Sequence, residues 1–375
     1  MSQRILPDTR PYPSDPVKNE LLLHAASIAQ SNSKAQTQLA SETLQARIFE
    51  MLQQNHYLGL SVAMSMAPDS ASYSALFHAL DSVLAAKTED EVQWFALPVV
   101  VVAGCNQASD LPLNTPDAAL SACLENYPHT RAFSHAQCTW LPKLIPAAQL
   151  AAIDAGTWFA AKQNAQAAAQ FANTLQTAES LHIEAGQSVH VLFALAYGSA
   201  NIQPFLGKNL QDAALPLMQV WQENLKTAGL TLFTNPLSPA SPLNALNEGN
   251  HIRLRMALDV FSTNAIRAIR LQSPRVGVVL AAQEGGRLLF GFNATESQFE
   301  LLPQVFAWPL SPMERVEIVQ QNFLDLLAEC QVENVRLLHD ALPEGAELPN
   351  YAQALQLAGH NPFFADFGEE SALLN

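Results

Sequence analysis

Two stretches of the chain share one pattern, and this pattern constrains the fold more than any other feature of the sequence. In FALPVVVVAGCNQASDLPLNTPDAAL (95–120) and VHVLFALAYGSANIQPFLGKNLQDAAL (189–215), an apolar run ends in Gly104 or Gly198, and a polar loop then leads to Asp-Ala-Ala-Leu. A short apolar run before a turn residue is typical of a buried strand, and an aspartate before an apolar helical pattern is typical of a helix start. The sequence therefore predicts a strand, a wide loop and a helix twice. The pattern leaves open whether the two copies are a true internal duplication.

The order of the predicted elements indicates an α+β fold, with α/β as the alternative. A helical N-terminal region precedes two similar β-α-β-α units and a C-terminal unit of antiparallel strands and a helix. The predicted divisions are an arm and helical region at 1–90, a first α/β unit at 91–185, a second α/β unit at 186–275 that is a possible repeat of the first, an α+β unit at 276–342, and an acidic, aromatic tail at 343–375.

Apolar periodicity and turn residues predict the elements inside these units. The first α/β unit has expected strands at 95–103 and 132–141, a helix at 116–127 and one long alanine-rich helix at about 146–178. The second has expected strands at 188–197 and 230–234 and helices at 210–227 and about 250–270. In the C-terminal unit, strands at 276–282, 287–293 and 299–308 precede a helix that opens at Ser311 with Pro312 in its first turn, and a strand at 335–339 follows.

Charge and composition exclude several classes of partner. The chain has 34 acidic and 19 basic residues, a net charge of -15 and a pI near 5.0, which argues against nucleic acid and against anionic lipid surfaces. No apolar run approaches the roughly 20 residues that a membrane-crossing helix needs. Four cysteines in 375 residues do not make a disulfide framework, and the N-terminus lacks the apolar core of a signal peptide. These features predict a cytoplasmic protein, for which we expect no cofactor.

Familiar catalytic motifs are absent from the sequence, which contains no GxSxG elbow, Walker loop, HExxH or paired CxxC. The best candidates for ligand binding are polar groups in the two wide loops and the arginines of a locally basic stretch. Arginine can hold a carboxylate or phosphate with two parallel hydrogen bonds, although capping and ion pairing are the more frequent roles for such residues. The candidate residues are Gly104, Asn106, Gly198, Ser199, Lys208, Arg253, Arg255, Arg267 and Arg270.

A second candidate site is a group of possible zinc ligands, Cys123, His129, His135 and Cys138. Thiolate and imidazole are the ligands that zinc prefers, but this spacing does not match that of a closed zinc site. Cys123 lies on the apolar face of its predicted helix, where a free cysteine packs as a small hydrophobic residue. Core packing is therefore favoured over a metal site.

The segments VHVLFALAYG, RLLFGFN, QVFAWPLSP and VRLLHDALP follow one another in an order that resembles an uncharacterised bacterial family of unknown function. The resemblance covers residues from about 95 to 343. It implies no activity and assigns no role to any residue.

Two functions from different classes are compatible with the sequence. The first is a non-catalytic interaction or regulatory module, whose helical N-terminal region and aromatic tail contact a protein partner or another copy of the chain. The alternative is an enzyme or sensor for a small anionic metabolite, bound in a pocket formed by the loops after Gly104 and Gly198 with the arginines of 253–270. The absence of catalytic motifs favours the first.

Overall fold

The computed structural model describes residues 16–127, 133, 137–175, 178–199, 201, 206, 212–283, 287–294, 304–332 and 334–337. It confirms a mixed α+β fold. The chain forms two compact units, which are treated separately below. Among the described residues, the larger unit comprises those of 16–67 and 75–256, and the smaller unit comprises those of 68–74 and 257–337.

The N-terminal region is helical, as predicted. Its helices are α1 (Pro16–Gln30), α2 (Lys34–Gln53), α3 (Tyr57–Ser65) and α4 (Ser70–Ala85). Their apolar positions recur every three or four residues, so each helix buries one stripe. In the larger unit these stripes form one core, which includes Leu21, Leu44, Ile48, Leu60 and Leu80.

A five-stranded antiparallel sheet forms the centre of the larger unit. Its strands are β1 (Gln93–Cys105), β3 (Cys138–Trp140), β4 (Ile145–Pro146), β6 (Gly186–Gly198) and β7 (Thr231–Pro236), in the order β3-β6-β1-β7 with β4 also paired to β6. The strands that lead the two similar stretches are β1 and β6, and they pair with each other along their whole length, from Gln93↔Gly198 to Cys105↔Gly186. The predicted units 91–185 and 186–275 therefore contribute to a single sheet. The first wide loop contains a short strand, β2 (Ser109–Pro112), which pairs with β5 (Ser180–Ile183).

Helices cover both faces of this sheet. On one face, α5 (Asp117–Glu125) and α9 (Ala214–Asn224) contact each other and bury a core that includes Phe95, Val99, Leu192 and Trp221. On the other face lies the start of α10 (Pro242–Arg270), whose Gly249 lies against Val191 and Phe193 of β6. No helix in the described part of the chain is long and apolar enough to cross a membrane.

The long alanine-rich helix predicted at 146–178 is wrong. The structure has three short helices there, α6 (Ala147–Ala151), α7 (Ala155–Ala161) and α8 (Ala165–Thr174). Asp154 accepts a hydrogen bond from the Thr157 N–H at 2.8 Å, and Asn164 accepts one from the Ala167 N–H at 2.9 Å. Each side chain caps a new helix start, which interrupts the alanine pattern twice.

The smaller unit contains β8 (Val276–Gln283), β9 (Arg287–Ala294), β10 (Gln304–Pro309), α11 (Val316–Glu329) and β11 (Asn334–Leu337). The strand order is β10-β9-β8-β11, and β11 lies parallel to β8. Aromatic rings of Phe261, Phe290, Phe292, Phe306 and Phe323 contact one another in its core. The predicted helix start at Ser311 is wrong, because the helix begins at Val316. Residues 311–314 form a turn, in which the Ser311 N–H donates to the Glu314 carboxylate at 2.8 Å.

Candidate functional site

The two wide loops leave the sheet at opposite ends. Because β1 and β6 pair antiparallel in full register, Gly104 lies opposite Gln187 and Gly198 lies opposite Gln93. At about 3.4 Å per residue, the two glycines are roughly 35–40 Å apart along the strands. The described residues that begin the two loops therefore lie at opposite ends of this pair of strands. Asn106 and Ser199 are exposed at these separate ends, and Lys208 lies outside the described residues.

Gly198 has a packing role that does not involve a ligand. A Cβ at this position would lie 2.6 Å from the Gln137 carbonyl oxygen and 3.2 Å from the Cys138 Cβ, because β3 passes directly beside it. At Gly104, the nearest atom to a Cβ would be Gln187 Cγ at 3.6 Å, which is ordinary van der Waals contact. A Cβ therefore fits at Gly104 without displacing a neighbour, whereas at Gly198 it does not.

The four candidate arginines all lie on α10, but they do not form one cluster. Arg253 and Arg255 belong to the larger unit, and Arg267 and Arg270 belong to the smaller one. In the smaller unit, the Arg270 guanidinium donates to the carbonyl oxygens of Cys330 at 2.7 Å and Gln331 at 3.0 Å. Cys330 and Gln331 directly follow the last residue of α11, so Arg270 caps the C-terminus of this helix.

Arg253 differs from the other three because its side chain is half-buried, whereas Arg255, Arg267 and Arg270 are exposed. Burial lowers the pKa of Arg253. Its charge also reaches His190 of β6: burial, and then the charge of Arg253, lower the pKa of His190 to about 4. At neutral pH the His190 ring is therefore uncharged, and its Nε2 lies 2.8 Å from the Ser188 hydroxyl.

The described members of the proposed zinc site lie in the hydrophobic core. Cys123 and Cys138 are 9% and 6% exposed and pack with the apolar residues between the sheet and α5. Burial raises the pKa of Cys123, and it raises the pKa of Cys138 to about 12. Both thiols are therefore protonated at neutral pH and pack as small apolar side chains. His129 and His135 lie outside the described residues, and no group of three metal-binding side chains occurs among the residues that the structure describes.

Sequence reasoning missed a buried polar cluster in the larger unit. The Lys162 ammonium donates to the carbonyl oxygens of Val83, at 3.1 Å, and Ala86, and it pairs with the Glu91 carboxylate at 3.4 Å. Burial lowers the pKa of Lys162, and the nearby Glu91 carboxylate opposes that shift. Because these carbonyls end α4, Lys162 acts as its C-terminal cap.

The same cluster continues to the start of α10. Asp81 accepts a hydrogen bond from the Ser241 hydroxyl, whose oxygen accepts one from the Asn244 N–H at 3.3 Å, and burial raises the pKa of Asp81. The adjoining cavity has a volume of about 10 Å³, which accommodates no more than one water molecule. These polar groups join α4, α7 and α10, and the cavity beside them is too small for a metabolite. The Ser241-Pro242 pair was a readable start signal for α10, but its pairing with Asp81 was not.

The solvent side of α3 is a charge-free surface, a second feature that sequence reasoning missed. Leu58 and Val62 are 72% and 41% exposed, and Ser61 and Ser65 lie beside them at helical spacing. The Ser61 hydroxyl donates to the Tyr57 carbonyl oxygen at 3.3 Å, and the Ser65 hydroxyl donates to the Val62 carbonyl oxygen at 2.8 Å. Both hydroxyl groups therefore already donate hydrogen bonds within the helix. A partner that covers this surface would remove them from water at little cost in free energy.

The sequence around α3 extends this property. No aspartate, glutamate, lysine or arginine occurs between Glu50 and Asp69. The opposite side of α3 is packed in the core. Leu60 and Ala63 are buried, and the Tyr57 ring lies so close to Gly156 of α7 that a Cβ there would be 2.5 Å from the ring. The charge-free stretch was visible in the sequence, whereas the exposure of its leucine and valine was not.

Comparisons with known proteins found no relative: no protein-family model, no curated protein and no solved structure matches the chain. The resemblance to a bacterial family of unknown function therefore stays a prediction. The function is inferred from the geometry and charge of the chain itself.

Proposed function

We propose that the protein is a non-catalytic interaction module that associates with a second copy of itself through the charge-free surface of α3. The observation that carries the proposal is the exposed pair Leu58 and Val62, flanked by Ser61 and Ser65, on a helix without charged side chains. Protein interfaces are depleted of charge at their centre and enriched in apolar contact, which is the character of this surface.

The net charge of the chain argues for a second copy as the partner. With a net charge of -15, two copies repel each other across most of their surfaces, and the repulsion is least where charge is absent. In an antiparallel pair of α3 helices around a two-fold axis, Leu58 of one copy would lie beside Val62 of the other, and the small serines would allow close approach. A helix of nine residues buries a modest area, so we expect a weak, concentration-dependent dimer.

The test is the molar mass of the purified chain as a function of its concentration, measured by sedimentation velocity or by light scattering after size exclusion. We expect the mass to rise from the monomer value of 40.7 kDa as the concentration increases. Leu58→Arg places a charge at the centre of the surface, and it should keep the protein at the monomer mass at every concentration.

Leu39→Arg is the matched control. Leu39 is 66% exposed on α2, so this change adds the same charge at an equally exposed leucine of another helix. We expect the control to dimerise as the unmodified chain does. A chain that stays monomeric throughout, or a Leu58→Arg variant that dimerises normally, would refute self-association through α3.

A further inference from the structure

Arg253 lies on the side of α10 that packs against the sheet. Gly249, one turn earlier, lies against Val191 and Phe193 of β6, and the side chain of Asn235 in β7 lies 4.0 Å from the Met256 sulfur. Positions 249, 253 and 256 share one face of a helix. Along the helix, Arg253 therefore lies between two contacts with the sheet, and the residue is half-buried there.

The charge of Arg253 has no acidic partner among the described residues. None of their carboxylates lies within 4.0 Å of the guanidinium, and none of their acceptors forms a hydrogen bond with it. Glu248 is the nearest acid on the same helix, but five residues place it about 140° around the axis. Burial raises the pKa of Glu248, and the charge of His251 partly opposes this shift.

An unpaired guanidinium in this setting is costly. Arginine stays protonated in proteins, and removing a charge from water without a partner is unfavourable. His190, on which the charge of Arg253 acts, and its hydroxyl partner Ser188 carry no negative charge, so neither neutralises the guanidinium. An oxyanion from solution would supply it, and the planar fork of the guanidinium matches the oxygens of a carboxylate or phosphate.

We propose that Arg253 is the cationic centre of a binding site for a small oxyanion, a carboxylate or a phosphate. The site is narrower than the pocket expected from the sequence, because it uses one of the four arginines and neither glycine loop. It does not depend on association through α3, which involves other residues of the larger unit.

The experiment is a titration of isotopically labelled protein with inorganic phosphate and, separately, with acetate, at constant ionic strength set by chloride. Nuclear magnetic resonance follows the arginine Nε–H signals and the ring signals of His190. We expect a saturable shift of the Arg253 signal by at least one of the two anions. The His190 ring signals should shift with it, because a bound anion offsets the charge that acts on this ring. Saturation by phosphate alone would identify a phosphate site, and saturation by acetate alone would identify a carboxylate site.

Arg255 is the matched control, since it is exposed on the same helix two residues away and its signal should stay in place. Arg253→Lys keeps the charge but removes the fork, and it should weaken anion binding at least about tenfold. Arg253→Gln should abolish the response of His190. The proposal is overturned if neither anion gives a saturable shift at Arg253, or if chloride at equal ionic strength gives the same shift. The titration of the unmodified chain decides this point even if a variant fails to fold.

Discussion

The two ends of the β1–β6 pair are alike in sequence and different in structure. At the Gly198 end, β3 lies so close that only a hydrogen atom fits at this position. At the Gly104 end, a Cβ would make only ordinary van der Waals contacts, and the partner strand carries the polar pair Ser188 and His190. An apolar run that ends in glycine thus marks close packing at one end and, at the other, a region that carries polar side chains and has room for a Cβ. A repeated sequence pattern predicts a repeated local structure, and it does not predict a repeated role.

The two ends should differ most in how far the replacement of glycine by alanine lowers the free energy of unfolding. Neither Gly104 nor Gly198 has a positive φ, so alanine tests the available space alone. Gly198→Ala drives a Cβ against the Gln137 carbonyl oxygen and should lower the free energy of unfolding by about 3 kcal/mol. Gly104→Ala should change it by less than about 0.5 kcal/mol. Urea unfolding monitored by circular dichroism measures both, and equal losses would contradict the comparison.

The next largest effect concerns pH and the half-buried histidine near the Gly104 end. The folded pKa of His190 is about 4, below that of an unfolded histidine, so the unfolded chain binds the extra proton as the pH falls. Stability linked to His190 is therefore present above about pH 6.5 and is lost toward pH 4. Between pH 7 and pH 5 we expect the free energy of unfolding to fall by about 1–2 kcal/mol. This value is smaller than the full pKa shift would give, because the His190 ring is only partly buried.

His190→Gln should remove this pH-dependent loss, as measured from urea midpoints at pH 7 and pH 5. His182 is the control from β5 near the same end. Its hydrogen bond with Asp110 raises the pKa of His182. Any stability that His182 contributes is therefore present at low pH and is lost as the pH rises above 6.5, which is the opposite of the dependence expected for His190. His182 is fully exposed, and His182→Gln should leave the pH dependence unchanged. A pH dependence that survives in His190→Gln would contradict the assignment.

The smallest expected effect is a difference in thiol reactivity. Cys138 beside Gly198 has a pKa of about 12, so about one molecule in 10,000 carries the thiolate at pH 8. Cys105 beside Gly104 is half-exposed. Iodoacetamide should modify Cys105 in the native protein at least about tenfold faster than Cys138, and peptide mass spectrometry measures the two rates. Both cysteines should react in guanidinium chloride. Native labelling of Cys138 at the rate of Cys105 would show that the Gly198 end is open.

Local patterns in the sequence were enough to place the two central strands. The apolar runs at 95–103 and 188–197 lie within β1 and β6, and the apolar stripes of the N-terminal region lie on helices. The breaks at Asp154 and Asn164 were also readable, because each is a strong capping residue at the start of a short helix. The continuous alanine pattern outweighed them in the prediction, since alanine favours helix on either side of a break.

The candidate sites depended on information that local patterns do not contain. Nothing near Gly104 or Gly198 encodes that β1 and β6 run antiparallel to each other, yet this pairing places the starts of the two loops at opposite ends of the strands. The roles of Arg270 and Arg253 depend on which strands and carbonyls lie beside α10. Long-range pairing fixes such neighbours, and a single sequence without relatives gives no direct measure of it.

The pairing of β1 with β6 also has a consequence for how the chain reaches its folded state. Paired residues are separated by about 80 to 105 positions, from Cys105↔Gly186 to Gln93↔Gly198. At roughly 5–20 residues per second, a ribosome needs about 5–20 s to make β6 after β1 has emerged. During that time the valines at 99–102 lack their partner strand, and an unpaired apolar strand is prone to aggregation. The yield of soluble protein should therefore depend on the speed of synthesis as well as on the stability of the finished fold.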